Sequence, residues 1–209
     1  MKNLFGLLRS PQPPKGAGDH PESVMFSTAF AGLGVEQDML VPWEARANEL
    51  GAKRGSAARG IKQLQALWAK DKYMSHLAPD AIRGLEQFLD FATIPPERDI
   101  VQQDEYGDFM VVLLEGVIAV DRVQPWGERL RLTETRPGAI LGEMSLLDSG
   151  QRFSVCSSLT ECEIAVLSAQ ALDEMIGANP TLAANLIALL ARKLSLRLRV
   201  VSARLTEKK

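Results

Sequence analysis

The stretch Gly142 to Ser154, "GEMSLLDSGQRFS", joins two short apolar runs. A simple hairpin between two strands needs a connection of only about two to five residues. This connection is longer, and it contains a glycine, a carboxylate, a short apolar segment and a single arginine, Arg152. We infer that it carries chemistry in addition to reversing the chain.

The residue types in this stretch suit a phosphate group. A phosphate inside a small roll needs converging backbone N–H groups, a glycine where the chain approaches closely, and a forked guanidinium. Gly142 provides the close approach, "EMSLL" can form one helical turn whose first amides face the anion, and Arg152 provides the charge. Glu143 would repel a phosphate, so it is better suited to accept a hydrogen bond from a sugar hydroxyl. The combination predicts a ribose phosphate as the ligand.

The sequence around this stretch has the pattern of a β protein. After Pro96 it consists of short apolar or alternating runs, separated by glycines and by a "QPWG" turn. Many short strands at even spacing are typical of a sandwich or a closed roll. We predict a mainly β fold with flanking helices, in which a jelly-roll-like β-roll of about eight strands extends from about Ile94 to Ser168.

Helical patterns lie on both sides of the predicted roll. Apolar residues recur on one helical face between Ile61 and Trp68, and a second helix is predicted from Pro79 until "TIPPERD". Ser168 and Asn179 are predicted N-caps of two further helices, the second with a long leucine stripe. The predicted organisation is a partly disordered tail at 1–41, a helical segment at 42–76, the roll at 77–178 and a C-terminal helix at 179–209.

The composition of the chain excludes several function classes. Its net charge of −2 creates no overall field for nucleic acid or an anionic membrane, so such a role would need a local patch. His20 and His76 are far apart, which argues against a zinc site or a histidine-based triad. Cys156 and Cys162 are predicted to be small buried strand residues. We predict a cytoplasmic protein that is not an enzyme and has no cofactor, export signal or membrane span.

The stretch resembles the phosphate-binding cassette of the cyclic nucleotide-binding domain family. That cassette has Gly-Glu, an apolar turn, an arginine about ten residues on and small residues after it, and Gly142, Glu143 and Arg152 occupy the corresponding positions. The similarity extends from roughly Leu77 to Leu205 and includes the glycine-aspartate turn in "YGDFMVVLLEGVIAV". The resemblance implies a double-stranded β-helix fold.

The resemblance also implies a ligand, cAMP or cGMP. The cyclic phosphate would contact Arg152 and the ribose 2′-OH would contact Glu143, while Arg197 falls where the family contacts the base. The predicted ligand-binding residues are Leu141, Gly142, Glu143, Met144, Ser145, Arg152, Phe153, Ser154, Arg197 and Leu198. Phe153 replaces the small residue common in the family, and its side chain either crowds the phosphate or turns into the core. The sequence does not choose between cAMP and cGMP.

Other interpretations of the same residues stay open. Glu143 and Arg152 could form an ion pair that closes an empty loop, in a degenerate roll that serves as a protein interaction module. The basic C-terminal helix could be a solvated face, or it could contact an acidic partner or nucleic acid phosphates. A hydrolase using Glu143 as general acid or base lacks a second catalytic group nearby.

The C-terminal helix bears on the predicted partners. One face of this helix carries an apolar stripe with spacings of four and three residues, which suit pairing with another helix and predict a homodimer. The stripe consists of Leu190, Leu194, Leu198, Val201 and Leu205. Transcription factors of the family continue into a helix-turn-helix domain, whereas this sequence stops at Lys209. We therefore expect the signal to pass to a protein partner rather than to DNA.

Overall fold

A computed structural model describes residues 25–206 of the chain, with side chains for residues 25–203. The predictions for the first part of the tail, residues 1–24, lie outside the described residues, as does the side chain of Leu205. Within residues 25–206, no helix is long and apolar enough to cross a membrane.

The segment before the roll contains more regular structure than predicted. Gly51, at φ 65°, ends one helix, and a short strand follows it, so the predicted 42–76 segment is not continuously helical. The elements are α1 (Phe26–Gly32), β1 (Leu40–Val41), α2 (Trp43–Leu50), β2 (Lys53–Arg54), α3 (Ala57–Trp68) and α4 (Pro79–Gly84), with 3₁₀ turns at Met74–His76 and Glu86–Phe88. In α3 the predicted face is confirmed, because Ile61, Leu64 and Trp68 are buried.

Helix α1 falls inside the predicted tail and is attached to the body of the protein. The Phe30 side chain is only 2% exposed. The carboxylate of Asp173 accepts hydrogen bonds from the backbone N–H groups of Phe26 and Ser27 at 2.7 and 2.8 Å, and one from the Ser27 hydroxyl. A side chain distant in sequence therefore caps this helix, which local sequence patterns cannot reveal.

The predicted roll is present. Its strands are β3 (Asp90–Ile94), β4 (Asp99–Val101), β5 (Tyr106–Gly107), β6 (Phe109–Glu115), β7 (Ile118–Val123), β8 (Arg129–Thr135), β9 (Ile140–Leu141), β10 (Val155–Ser158) and β11 (Cys162–Ser168), with α5 (Glu143–Asp148) between β9 and β10. All of them except β5 belong to two antiparallel sheets, ordered β4-β10-β7-β8 and β2-β3-β11-β6-β9. Strand β5 pairs with β1 in parallel.

The roll begins earlier than predicted. The sequence pattern extended the second helix to "TIPPERD", but α4 ends at Gly84 and β3 begins at Asp90. Strand β3 pairs with β2 on one side and β11 on the other, and Phe91 and Ile94 are buried. Pairing with strands distant in sequence overrides the helical spacing of this segment.

Strand β6 explains how the roll and the helices share the core. Phe109, Val111 and Leu113 belong to a buried cluster inside the roll, which also contains Cys156 and Cys162. The alternate residues of β6 belong to a second cluster with residues of α3, α4 and the C-terminal helices; they are Met110, Val112 and Leu114. A strand buried on both faces reads as a continuous apolar run, as "FMVVLL" does. The whole is a β-roll with flanking helices and thus a mixed fold.

Two helices complete the chain, α6 (Ala169–Ala178) and α7 (Pro180–Thr206). Both predicted caps are confirmed: Ser168 Oγ accepts from Ala171 N–H and Asn179 Oδ1 accepts from Leu182 N–H, each at 3.1 Å. The leucine stripe of α7 divides in two. Leu186 and Leu190 are buried in the core, whereas Leu198 and Val201 are exposed; the latter part of α7 leaves the core.

Candidate functional site

The connection between β9 and β10 has the local structure that its sequence predicts. Gly142 has φ 75° and precedes the single short helix α5, whose first residues are Glu143, Met144 and Ser145. Ser149, also left-handed at φ 56°, ends this helix, and an extended segment then leads through Arg152 into β10. The predicted helical turn is confirmed, and the loop is long because it must present both α5 and Arg152.

Gly142 occupies a position where any side chain would be strained and would displace Arg152. Its backbone is left-handed, and a Cβ added there would lie 2.6 Å from Arg152 Nη1 and 3.2 Å from the Phe109 carbonyl oxygen. Gly107 approaches the same guanidinium, because a Cβ there would lie 2.7 Å from Nη2 and 2.8 Å from Nε. Two glycines therefore make room for one arginine side chain.

The guanidinium of Arg152 is buried and held by backbone carbonyls. The side chain is 1% exposed. Nη1 donates to the Gly142 carbonyl at 2.8 Å, and Nη2 donates to the Phe109 carbonyl at 2.6 Å, with the Phe109 ring centroid 4.7 Å from Cζ. These two contacts use fewer N–H groups than a guanidinium offers, and Nε has no acceptor among the described residues. Arg152 thus holds a positive charge without a carboxylate partner in residues 25–203.

Burial alters the ionisation of the groups around this arginine. It lowers the pKa of Arg152 to about 10, and the carboxylates of Glu105 and Asp108 act against that shift. Arg152 therefore stays positively charged at neutral pH. Burial also raises the pKa of the Cys156 thiol to about 12, so this thiol is neutral.

Glu143 pairs with the C-terminal helix and not with Arg152. Its side chain is 8% exposed, and Oε1 accepts a hydrogen bond from Arg197 Nη1 of α7. The alternative in which Glu143 and Arg152 form an ion pair is therefore wrong in this structure. Arg197, the predicted base contact, lines the same cavity and in this structure joins α7 to the cassette directly.

A cavity of about 740 Å³ lies between the cassette, the roll and α7. All the predicted site residues line it except Leu198, whose side chain is 67% exposed and lies outside the lining. The neighbouring α7 residues Leu196, Val200 and Val201 line it instead. The two predicted α7 residues therefore differ: Arg197 lines the cavity, whereas Leu198 lies on the outer face of the helix.

The structure adds walls that sequence reasoning missed. Apolar and hydroxyl side chains from β4, β7 and β8 line the cavity; they are Val101, Val120, Leu132, Thr133 and Thr135. Lys193 of α7 also lines it, and its Nζ lies 3.1 Å from the Asp71 carboxylate. The alternation of residues along β8 indicated which of its side chains share one face. The packing of α7 beside the cavity could not be predicted from local sequence patterns.

Phe153 does not turn into the core, the second of the two orientations considered from the sequence. Its side chain is 58% exposed at the cavity lining rather than buried in the core. The Arg122 guanidinium lies 4.7 Å from its ring centroid and also donates to the Phe153 carbonyl oxygen. The aromatic side chain is thus held at the edge of the site by a cation–π contact.

The fold and the cavity together define a β-roll closed by a C-terminal helix. Residues 92–179 match the family model of the cyclic nucleotide-binding domain. The predicted resemblance to that family and the predicted β-roll fold are confirmed.

Curated relatives include bacterial regulators. The chain is 29% identical over 116 residues to a CRP-like cAMP-activated global transcriptional regulator of Mycobacterium tuberculosis, covering 56% of this chain and 52% of the relative. It is 30% identical over 118 residues to the cyclic AMP receptor protein of Thermus thermophilus, covering 56% of this chain and 55% of the relative. The chain thus spans about half the length of the curated relatives it matches.

Solved structures share the fold. A cyclic nucleotide-binding domain from Methylobacillus flagellatus superposes with a TM-score of 0.67 at 23% identity, covering 76% of this chain and 89% of that one. The catabolite activator protein of Thermus thermophilus superposes with a TM-score of 0.52 at 27% identity, covering 65% of this chain and 63% of that one.

Proposed function

We propose that this protein binds a cyclic nucleotide, cAMP or cGMP, in the cavity beneath α7. The cyclic phosphate contacts Arg152 and the ribose 2′-OH contacts the carboxylate of Glu143. The observation that carries the proposal is the environment of Arg152, a buried cation that is held by two carbonyls and lines a cavity. A bound phosphate would supply the directly hydrogen-bonded anion that this arginine lacks among residues 25–203.

The size and walls of the cavity support a nucleotide. Small-molecule cavities measure roughly 300–1,000 Å³ and combine apolar walls with a few polar groups. Here the cassette contributes polar groups, and apolar side chains line other parts of the cavity: Val101, Val120 and Leu132 from the roll and Val200 and Val201 from α7. We assign the apolar wall to the purine base and the cassette to the ribose phosphate.

Calorimetric titration with cAMP and cGMP tests this proposal. Charge-assisted hydrogen bonds contribute roughly 1.5–3 kcal/mol each, so Arg152→Ala should weaken binding by about ten- to a hundredfold or more. Arg129→Ala is the matched control, because Arg129 pairs with Asp99 in a different cleft of the roll. If neither nucleotide releases heat or raises the melting temperature at millimolar concentration, the protein is a ligand-free roll.

We further propose that ligand binding is signalled through α7 in a cytoplasmic, non-enzymatic regulator. A ligand shifts a population only if it binds two states with different affinities. The Arg197 contact to Glu143 provides that difference, because a ribose hydroxyl on Glu143 competes with or reinforces the contact that holds α7 over the cavity. The output is a protein partner that contacts α7 or the helices preceding the roll.

The exposed part of α7 also supports the proposed homodimer. Leu198 and Val201 are exposed and continue the stripe that Leu190 begins in the core. Two copies pairing along this part of the helix would bury these side chains. Sedimentation should show a dimer for the wild type and a monomer for the double variant Leu194→Glu, Leu198→Glu. Equal masses for the two proteins would refute the proposed dimer interface.

The second candidate function is a protein interaction module without a ligand. The closed Glu143 and Arg197 pair favours it, since this contact satisfies the cassette carboxylate without a nucleotide. The titrations above separate the two functions, and salt-dependent binding of DNA by α7 would identify the nucleic-acid alternative.

A further inference from the structure

A segment that precedes the family match contacts residues that surround Arg152. Residues 40–54, here called the N-terminal strap, comprise β1, α2 and β2, and they lie outside the matched residues 92–179. Strand β1 pairs with β5, and β2 pairs with β3, so the strap is fastened to the roll at both ends. Its helix α2 carries Trp43 and Arg46, which are both buried.

The first link from the strap to the site runs through Arg46 and Glu105. Arg46 is 2% exposed; its Nη1 lies 2.6 Å from a Glu49 carboxylate oxygen, and its Nη2 bonds to the Glu105 carboxylate. The backbone carbonyl of Glu105 accepts from the Arg152 N–H at 2.8 Å. In return the Arg152 carbonyl accepts from the Asp104 N–H at 2.9 Å. One glutamate therefore joins the strap arginine to the backbone of the cassette arginine.

The second link is the pairing of β1 with β5. Val41 of the strap is the register partner of Gly107. A Cβ at Gly107 would lie within 2.8 Å of two guanidinium nitrogens of Arg152, so its Cα is packed directly against that group. A displacement of β5, which its pairing with β1 restrains, would therefore change the space available to the guanidinium.

The third link is aromatic. The Trp43 ring packs edge-on against the Phe109 ring, with centroids 5.5 Å apart and an angle of 61° between the planes. Phe109 in turn contacts Arg152 twice, through its ring and through its carbonyl oxygen. Both residues are buried, so the strap fixes the surface on which the guanidinium rests.

We propose that the N-terminal strap is a positioning element for Arg152, with Arg46 and Trp43 as its positioning residues. The three links converge on one side chain from its backbone, from Gly107 and from Phe109. The expected effect of the strap on affinity for a cyclic phosphate rests on the proposed function. The dependence of the Arg152 position on the strap does not rest on that function.

The test monitors the Arg152 side chain directly by NMR. In protein labelled with ¹⁵N-arginine, the Arg152 Nε–H signal is identified by its loss in Arg152→Lys. In Arg46→Gln and Glu105→Gln we expect this signal to shift and its exchange with water to accelerate by about tenfold or more, because the buried contacts loosen. Glu105→Gln keeps a hydrogen-bond acceptor and serves if Arg46→Gln does not fold. Glu163→Gln is the control, because this carboxylate also pairs with a helix arginine, Arg59.

Calorimetry on the same variants tests the consequence. We expect the Kd for cAMP or cGMP to rise about tenfold in Arg46→Gln and Glu105→Gln and to stay at the wild-type value in Glu163→Gln. An Arg152 signal unchanged in cooperatively melting variants would overturn the proposal, as would a shifted signal with wild-type affinity. If the wild type binds no nucleotide but the Arg152 signal shifts in the two variants, the proposed function is refuted while the positioning of Arg152 by the strap is supported.

Discussion

Gly142→Ala separates backbone strain from the displacement of Arg152. At φ 75°, an alanine would be in the left-handed region, which costs about 1–2 kcal/mol relative to glycine. Its Cβ would also lie 2.6 Å from Arg152 Nη1, which donates to the carbonyl of this same glycine. The guanidinium must then move and lose a charge-assisted hydrogen bond, at a further cost of about 1.5–3 kcal/mol.

Gly138→Ala is the matched control for this substitution. Gly138 is also left-handed, at φ 94°, but an added Cβ would meet only the Leu67 Cβ at 3.8 Å, an ordinary contact. For a chain of this size, 1 kcal/mol corresponds to about 2–4 °C in Tm. We therefore expect Gly138→Ala to lower the Tm by about 2–8 °C and Gly142→Ala by roughly 5–20 °C.

Nucleotide affinity completes this test. Gly138→Ala should bind like the wild type, while Gly142→Ala should bind cAMP or cGMP about tenfold more weakly or worse, because its arginine is displaced. Equal losses of Tm for the two variants, together with wild-type affinity for Gly142→Ala, would refute the close packing of glycine and arginine.

Two further predictions concern the attachment of α7. Arg197→Gln removes the contact to Glu143, so hydrogen exchange in residues 190–203 should accelerate. Arg199→Gln is the control, because it changes an exposed arginine on the same helix and should leave the exchange unchanged. Burial alone would raise the pKa of Asp71, but N–H donors and Lys193 hold it below its usual range. Its stabilising contribution is complete above about pH 5 and decreases as pH falls through the lowered pKa. Asp71→Asn should therefore remove this acid-dependent loss of α7 protection, and an unchanged pH dependence would contradict the prediction.

Local chemistry made the cassette predictable from the sequence. Gly142, the apolar turn and Arg152 lie within one short stretch of the chain and meet requirements that each places on the others, and their arrangement in the structure matches that expectation. The N-caps at Ser168 and Asn179 were predictable for the same reason, because a cap bonds to an amide three residues away.

Features that depend on distant contacts were missed. The predicted second helix extended over the residues of β3, which form a strand because β2 and β11 pair with them. Helix α1 depends on the Asp173 carboxylate, which lies far away in sequence. The Glu143 and Arg197 pair likewise joins a loop and a helix whose approach is fixed by the packing of α7 on the core. Such contacts are determined by the tertiary fold and leave no periodic signal in the sequence.

The most direct test of cyclic nucleotide binding at the cassette is a nucleotide titration followed by ¹H–¹⁵N NMR of the wild type. We predict saturable shifts for the backbone amides of Gly142 to Ser145 and for the Arg152 Nε–H, with smaller changes in the sheet β4-β10-β7-β8 away from the cavity. The absence of any shift at millimolar cAMP and cGMP, or saturable shifts confined to residues outside the cavity, would contradict the assignment of this site.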